Sequence, residues 1–275
     1  MEKIKIIAMD LDGTLLDSEK RLSEENRAAL QRAADAGIEI VPTTGRIYAI
    51  IPEVVRQLPF INYAITVNGA EVYDVKNDCV IAKNELPYEK AVEIMAYLDG
   101  FDVVYDCYQN GGGYMTKAYL EKVEDYLTSA YFAEIYATSR KPVPELKAYL
   151  LEKKQGVQKL QFCTKDQTLR AFLLEDLKNR FDGVAVSTAL PYNGEVNDEN
   201  GHKGGALQKL CEHLGCTMEN VMTLGDGYND ITMLRLAGVS VAMENAAPEV
   251  KAAAKYVTGN NDESGVAQAI EKFCF

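Results

Sequence analysis

The sequence predicts an α/β protein, a doubly wound parallel sheet with an α+β domain inserted in its middle. Three observations carry this. Short apolar runs alternate with helical stretches at both ends of the chain, the pattern of a parallel sheet covered on both faces. Each run ends in a small polar or glycine-bearing loop. Between about residues 84 and 189 the alternation gives way to a longer, tyrosine-rich mixture of strands and helices. A Rossmann-like core is therefore expected over residues 1–83 and 190–275, with the inserted domain over 84–189.

The opening run, Ile4 to Met9, reads as a strand buried on both faces. Ser23 can cap a helix whose apolar face is Ala28, Ala29, Leu30, Ala33 and Ala34, stopped by Gly37. Ile38 to Val41 reads as a second strand, followed by a helical stretch to about Leu58 that Pro52 should disturb. Tyr63 to Val67 reads as a third parallel strand. Glu71–Asp74 and Cys79–Lys83 read as a pair joined by a turn at Lys76-Asn77-Asp78. The insertion then begins with a helix near 87–98, a strand near 102–108 and a turn at Gly111-Gly112-Gly113. It ends with strands at Val157–Thr164 and Gly183–Ser187. Ten of the chain's sixteen tyrosines lie between 88 and 149; packing is their ordinary use, and a wall against a ligand is a second one. The core resumes with helix 203–214, strands Asn220–Leu224 and Val239–Met243, a short helix Ala247–Ala254, strand Tyr256-Val257 and a closing helix from about Ser264.

The chain has 275 residues, 47% of them hydrophobic and 25% charged, which suits a globular protein. A net charge of −12 disfavours nucleic acid and anionic membranes as partners. No basic segment followed by an apolar one opens the chain, no apolar run is long enough to span a membrane, and the six cysteines show no metal-like spacing. A cytoplasmic location is expected.

The chemistry gathers at strand ends, where open α/β sheets bind ligands. The opening run ends in Asp10, with Asp12 two residues on, then Gly13 and Thr14. Positions i and i+2 of an extended chain point the same way, so both carboxylates can share one small volume. Two carboxylates together repel, and a hard cation such as Mg²⁺ offsets that repulsion. A solvated acidic turn is the plainer alternative, and the longer string DLDGTL argues against it. Asp226 repeats the arrangement in GDGYND, with Asp230 four residues later, completing an acidic cup. Lys203, flanked by glycines in GHKGG, is the counter-charge such a cup needs and can face a phosphate. Thr44 and Gly45 end the second strand with a hydroxyl and backbone N–H groups that can hold phosphate oxygens. The histidines, His202 and His213, have no catalytic context.

In this order, DLDGTL, TTGR, HKGGAL and GDGYND resemble the four motifs of the haloacid dehalogenase superfamily, and most closely its Cof-type phosphatases. The resemblance extends to Asn68-Gly69-Ala70, to Ala242-Met243-Glu244-Asn245-Ala246 and to the C-terminal tail. Position 244 departs from the pattern, being Glu where the family often has Gly. The insertion is placed and sized like the C2 cap of these enzymes.

The resemblance implies Asp10 as nucleophile, forming an aspartyl-phosphate, and Asp12 as the group that protonates the leaving oxygen and then activates water. It implies Mg²⁺ as cofactor, held by the Asp10 carboxylate, the Asp12 carbonyl and Asp226, with Asp230 orienting them. Thr44, Lys203 and Asn229 would hold phosphoryl oxygens, and the cap would close over the site and read the leaving group. The implied substrate is a small phosphorylated metabolite, a sugar phosphate first. Asp12 argues against a dehalogenase or an ion pump. A phosphomutase, or a catalytically silent protein that binds phosphate ligands, remains the alternative.

Overall fold

The computed structural model describes residues 3–127, 130–188 and 190–275. The chain divides into two compact units, Met1–Lys83 with His202–Phe275, and Asn84–Gly201.

The first unit is built on a five-stranded parallel sheet, in the order Tyr256–Val257, Val239–Ala242, Val221–Gly225, Ile6–Met9 and Glu39–Pro42. The register decides what meets at its edge. Met9 pairs with Leu224 on one side and with Pro42 on the other. The next residues, Asp10, Gly225-Asp226 and Thr43-Thr44, therefore leave the sheet side by side. The strands are mostly apolar because helices cover both faces. Ile7, Met9, Leu224 and Val241 pack with Leu30 and Ala33 of helix Glu24–Asp35 and Ile270 of helix Gly265–Cys274. Ile6, Ala8 and Val221 pack on the opposite face with Leu207 and Leu210 of helix Lys203–Leu214. This is the doubly wound arrangement expected.

The third strand departs from expectation. Tyr63–Thr66 forms an antiparallel sheet with Glu71–Asp74 and Cys79–Lys83, and among the described residues its ladder reaches the parallel sheet through an isolated bridge between Thr43 and Ile65. Pro42 supplies the reason. Backbone N–H groups alternate in direction along a strand: that of Thr43 goes to Met9, that of Thr44 to Ile65. The group two residues before Thr44, which would extend the ladder, belongs to a proline and has no hydrogen to give. Pro52 likewise leaves only one 3₁₀ turn, Tyr48–Ile50, and one helical turn, Glu53–Arg56.

The second unit carries a six-stranded sheet, in the order Val184–Ser187, Asn193–Asp198, Lys159–Cys163, Val104–Gln109, Gly112–Thr116 and Arg140–Val143. Residues 193–198, which the sequence reading puts in the core, pair with Lys159–Cys163 and Val184–Ser187 here instead. The turn expected at three glycines is Asn110-Gly111, both with positive φ, while Gly112 and Gly113 lie in the strand. An Asn-Gly pair of this kind makes the two-residue hairpin turn whose twist matches its strands. Among the described residues no helix is long and apolar enough to cross a membrane.

Candidate active site

The site lies in the first unit and starts from two glycines. Gly13 has φ +85°, and a Cβ there would stand 2.4 Å from Asp226 Oδ2. Only glycine lets the loop after Asp10 pass so close to the neighbouring strand's carboxylate. A Cβ on Gly225 would lie 2.5 Å from Asp230 Cβ, so glycine there lets Asp230 fold back over its own loop.

Lys203 sits at the centre. Its side chain is fully buried, and Nζ donates to Asp10 Oδ1 at 2.6 Å and Asp230 Oδ1 at 2.5 Å. Burial works against the ammonium, but Asp10 and Asp230 hold its pKa above the usual lysine value. The other oxygen of Asp230 accepts the N–H groups of Asp226 at 3.0 Å and Gly227 at 2.8 Å. Both Asp230 oxygens are thus engaged, which suits bracing better than ligating. Asp226 Oδ1 accepts from the Thr14 hydroxyl at 2.7 Å. Ligand oxygens of Asp10, Asp226 and Asp230 all lie within 4.8 Å of one another. Burial, opposed by Lys203 and reinforced by Asp230, Asp226 and Asp12, pushes Asp10 up to about 8. Burial and Asp230 lift Asp226 to about 6. An all-oxygen, mutually repelling donor set of this kind fits a hard divalent cation such as Mg²⁺.

The Asp12 carboxylate is not part of this cluster. It makes a bidentate pair with Arg46 (Nε 2.8 Å, Nη2 2.9 Å) and a second ion pair with Lys20 at 2.8 Å. Burial alone would raise its pKa, but Arg46 and then Lys20 bring it down to about 2. Arg46 and Lys20 escaped the sequence reading. Arg46 is the last letter of TTGR, the one signal that pointed to it; Lys20 lies in an acidic loop and carried none.

Thr44 is buried; its oxygen accepts the Arg46 N–H at 3.2 Å. Asn68 ties the remaining residues together. Its Oδ1 accepts from Asn229 Nδ2 at 3.1 Å and lies 2.8 Å from where a Cβ of Gly45 would be. His202 caps the Lys203 helix, its Nδ1 accepting the Gly205 N–H at 2.9 Å. Glu244, the departure from the family pattern, is exposed.

The profile of the haloacid dehalogenase-like hydrolases matches residues 7–270. The chain belongs to that family. It is 33% identical over 267 residues to the 5-amino-6-(5-phospho-D-ribitylamino)uracil phosphatase YcsE of Bacillus subtilis, covering 97% of this chain and 94% of the relative. It is 31% identical to the pyridoxal phosphate phosphatase YbhA of Escherichia coli, covering 97% of each chain. Among solved structures it resembles the subclass IIB sugar phosphatase BT4131, with a TM-score of 0.81 at 26% identity over 98% of each chain.

Proposed function

We propose that this member of the family is a Mg²⁺-dependent phosphatase that hydrolyses small phosphorylated metabolites, sugar phosphates first, through an aspartyl-phosphate. The observation that carries the reading is the buried lysine between two aspartates, with Asp226 beside them. Such a cluster offers a nucleophilic carboxyl that a bound divalent cation would hold anionic, a buried cation for a phosphoryl group and an oxygen set for that divalent cation. Relatives named as phosphatases of quite different phosphate esters support the reaction class and leave the leaving group open.

In this reading an Asp10 oxygen attacks phosphorus in line, and the bond to the leaving oxygen breaks. Asp12 gives that oxygen its proton. Asp12 then takes a proton from water as the water attacks phosphorus, and the Asp10–phosphorus bond breaks to release phosphate. Asp12 reaches the leaving oxygen only after parting from Arg46 and Lys20, since a carboxyl held near 2 is a poor acid at neutral pH. Lys203 and the Thr44 hydroxyl hold phosphoryl oxygens, with Gly45 and Asn229 at the rim. Asp10, the Asp12 carbonyl and Asp226 would hold Mg²⁺, and Asp230 would brace them. When bound, the ion offsets repulsion between the nucleophile and an anionic phosphate. Residues 84–189 are read as the family's cap.

The test is a panel of sugar phosphates, pyridoxal phosphate, nucleotides and p-nitrophenyl phosphate. The expected result is release of inorganic phosphate from several, with a sugar phosphate preferred. Transfer of phosphate to a second position of the substrate, without release, would favour a mutase. Binding without turnover would favour a silent receptor.

A further inference from the structure

The loop that carries Asp10 and Asp12 leaves the sheet and turns back through Leu16. Beyond the strand end its carbonyls have no ladder to join; those of Leu15 and Leu16 are buried and need partners, while that of Gly13 is nearer the surface. Three asparagines far apart in sequence supply them. Asn245 Nδ2 donates to Gly13 O at 2.8 Å, Asn26 Nδ2 to Leu15 O at 3.2 Å, and Asn261 Nδ2 to Leu16 O at 3.0 Å. The three are themselves anchored near the end of the chain. Asn245 Oδ1 accepts the Asn261 N–H at 3.2 Å. Asn26 Oδ1 accepts the Ala267 N–H at 2.9 Å, in the first turn of a helix whose own cap, Ser264, makes no side-chain capping bond. Asp262 extends the contact by accepting the backbone N–H of Ser18 at 2.7 Å and its hydroxyl at 2.8 Å.

We infer that Asn245, Asn26 and Asn261 are positioning residues that clamp this loop in its reactive shape. The inference rests on the reading of Asp10 as the nucleophile. Gly13 is the sensitive point: at φ +85° and pressed against Asp226, it joins Asp12 to Thr14, whose hydroxyl holds Asp226. Without the Asn245 amide the Gly13 carbonyl loses its side-chain donor, and the segment from Asp10 to Thr14 can shift. A small shift matters, because displacing a reacting group by about 1 Å can cost about 100-fold in rate. Asn245 is exposed, and with Gly13 it lines an open cleft of about 410 Å³ shared with Ser18, Lys20 and Asp262. Truncating it removes two hydrogen bonds, one to the Gly13 carbonyl and one from the Asn261 N–H, and little packing. Asn26 and Asn261 are buried, and changes there risk the fold, so Asn245 is the deciding position.

The experiment compares the full-length protein with Asn245→Ala and Asn245→Asp, using p-nitrophenyl phosphate at saturating Mg²⁺ and hydrogen–deuterium exchange of the peptide spanning residues 10–16. Aspartate keeps the acceptor for Asn261 but sets a carboxylate against the Gly13 carbonyl, so it should fare no better than alanine. Both variants are expected to lower kcat by about 10- to 100-fold with KM within about twofold. Exchange in the 10–16 peptide is expected to quicken by about tenfold, with melting temperature unchanged. Unchanged kcat, with or without faster exchange, overturns the inference, as does full activity in Asn245→Asp. If the unsubstituted protein hydrolyses no phosphate ester, the reading of function fails instead. The exchange comparison then decides by itself whether the clamp holds the loop: faster exchange upholds it and unchanged exchange overturns it.

Discussion

Replacing Lys203 by methionine isolates the electrostatics of the site. The side chain keeps its length and loses its charge, leaving Asp10 and Asp230 without the ammonium that both touch. Removing one partner of a buried pair costs about 3–5 kcal/mol, because the other charge stays buried and uncompensated. Two features of the site limit the loss. Burial raises Asp10 to about 8 even against Lys203, so its carboxyl is already largely protonated at neutral pH; without Lys203 it rises further and leaves little bare charge. Asp230 keeps the two backbone N–H groups on its other oxygen. The expected loss is therefore near the lower end, about 3 kcal/mol, or about 6–12 °C in melting temperature for a chain of this size. The assay is thermal denaturation in EDTA, so that no added cation substitutes for the ammonium. Adding Asp10→Asn to Lys203→Met should recover part of the loss, with a coupling of about 1–3 kcal/mol. A cost below about 1 kcal/mol, the range of exposed ion pairs, would refute the reasoning, as would strict additivity with Asp10→Asn.

Other outcomes follow from the same geometry. Asp10→Asn should lower turnover by about 10⁴-fold or more with the fold retained, as read by steady-state kinetics and circular dichroism. EDTA should abolish activity and Mg²⁺ restore it, and Asp226→Ala should raise the half-saturating Mg²⁺ concentration by at least about tenfold in a titration. In the second unit, Arg140 pairs with the buried Asp106 and donates to the Tyr108 hydroxyl at 2.6 Å. Arg140→Met should destabilise by about 3–5 kcal/mol in urea unfolding, and adding Asp106→Leu should restore most of it.

The parts legible in the sequence are those whose burial is written in consecutive residues. Ile6–Met9, Val221–Gly225 and Val239–Ala242 are mostly apolar because both faces are covered, and their ends mark where the carboxylates emerge. Strand Asn193–Asp198 was illegible for the opposite reason. One of its faces is Asn193, Glu195 and Asn197, all buried, with Glu195 paired to Lys159 at 2.8 Å; such a run reads as loop until its partners are known. Arg140–Val143 was hidden by Pro142, which its edge position tolerates. At the site, the convergence of Asp10, Asp226 and Asp230 could be read from strand ends. The pairing of Asp12 with Arg46, thirty-four residues away, could not, since TTGR points to the arginine without saying which carboxylate it meets.

The central claim is that Asp10 carries the phosphoryl group. The most direct measurement is a rapid acid quench of the protein with p-nitrophenyl phosphate and Mg²⁺, followed by peptide mass spectrometry. One added phosphoryl group is expected on the peptide containing Asp10, formed as p-nitrophenol is released, lost on further incubation, and absent from Asp10→Asn. Steady release of p-nitrophenol with no phosphoryl group on that peptide, or with the group on another residue, would contradict it.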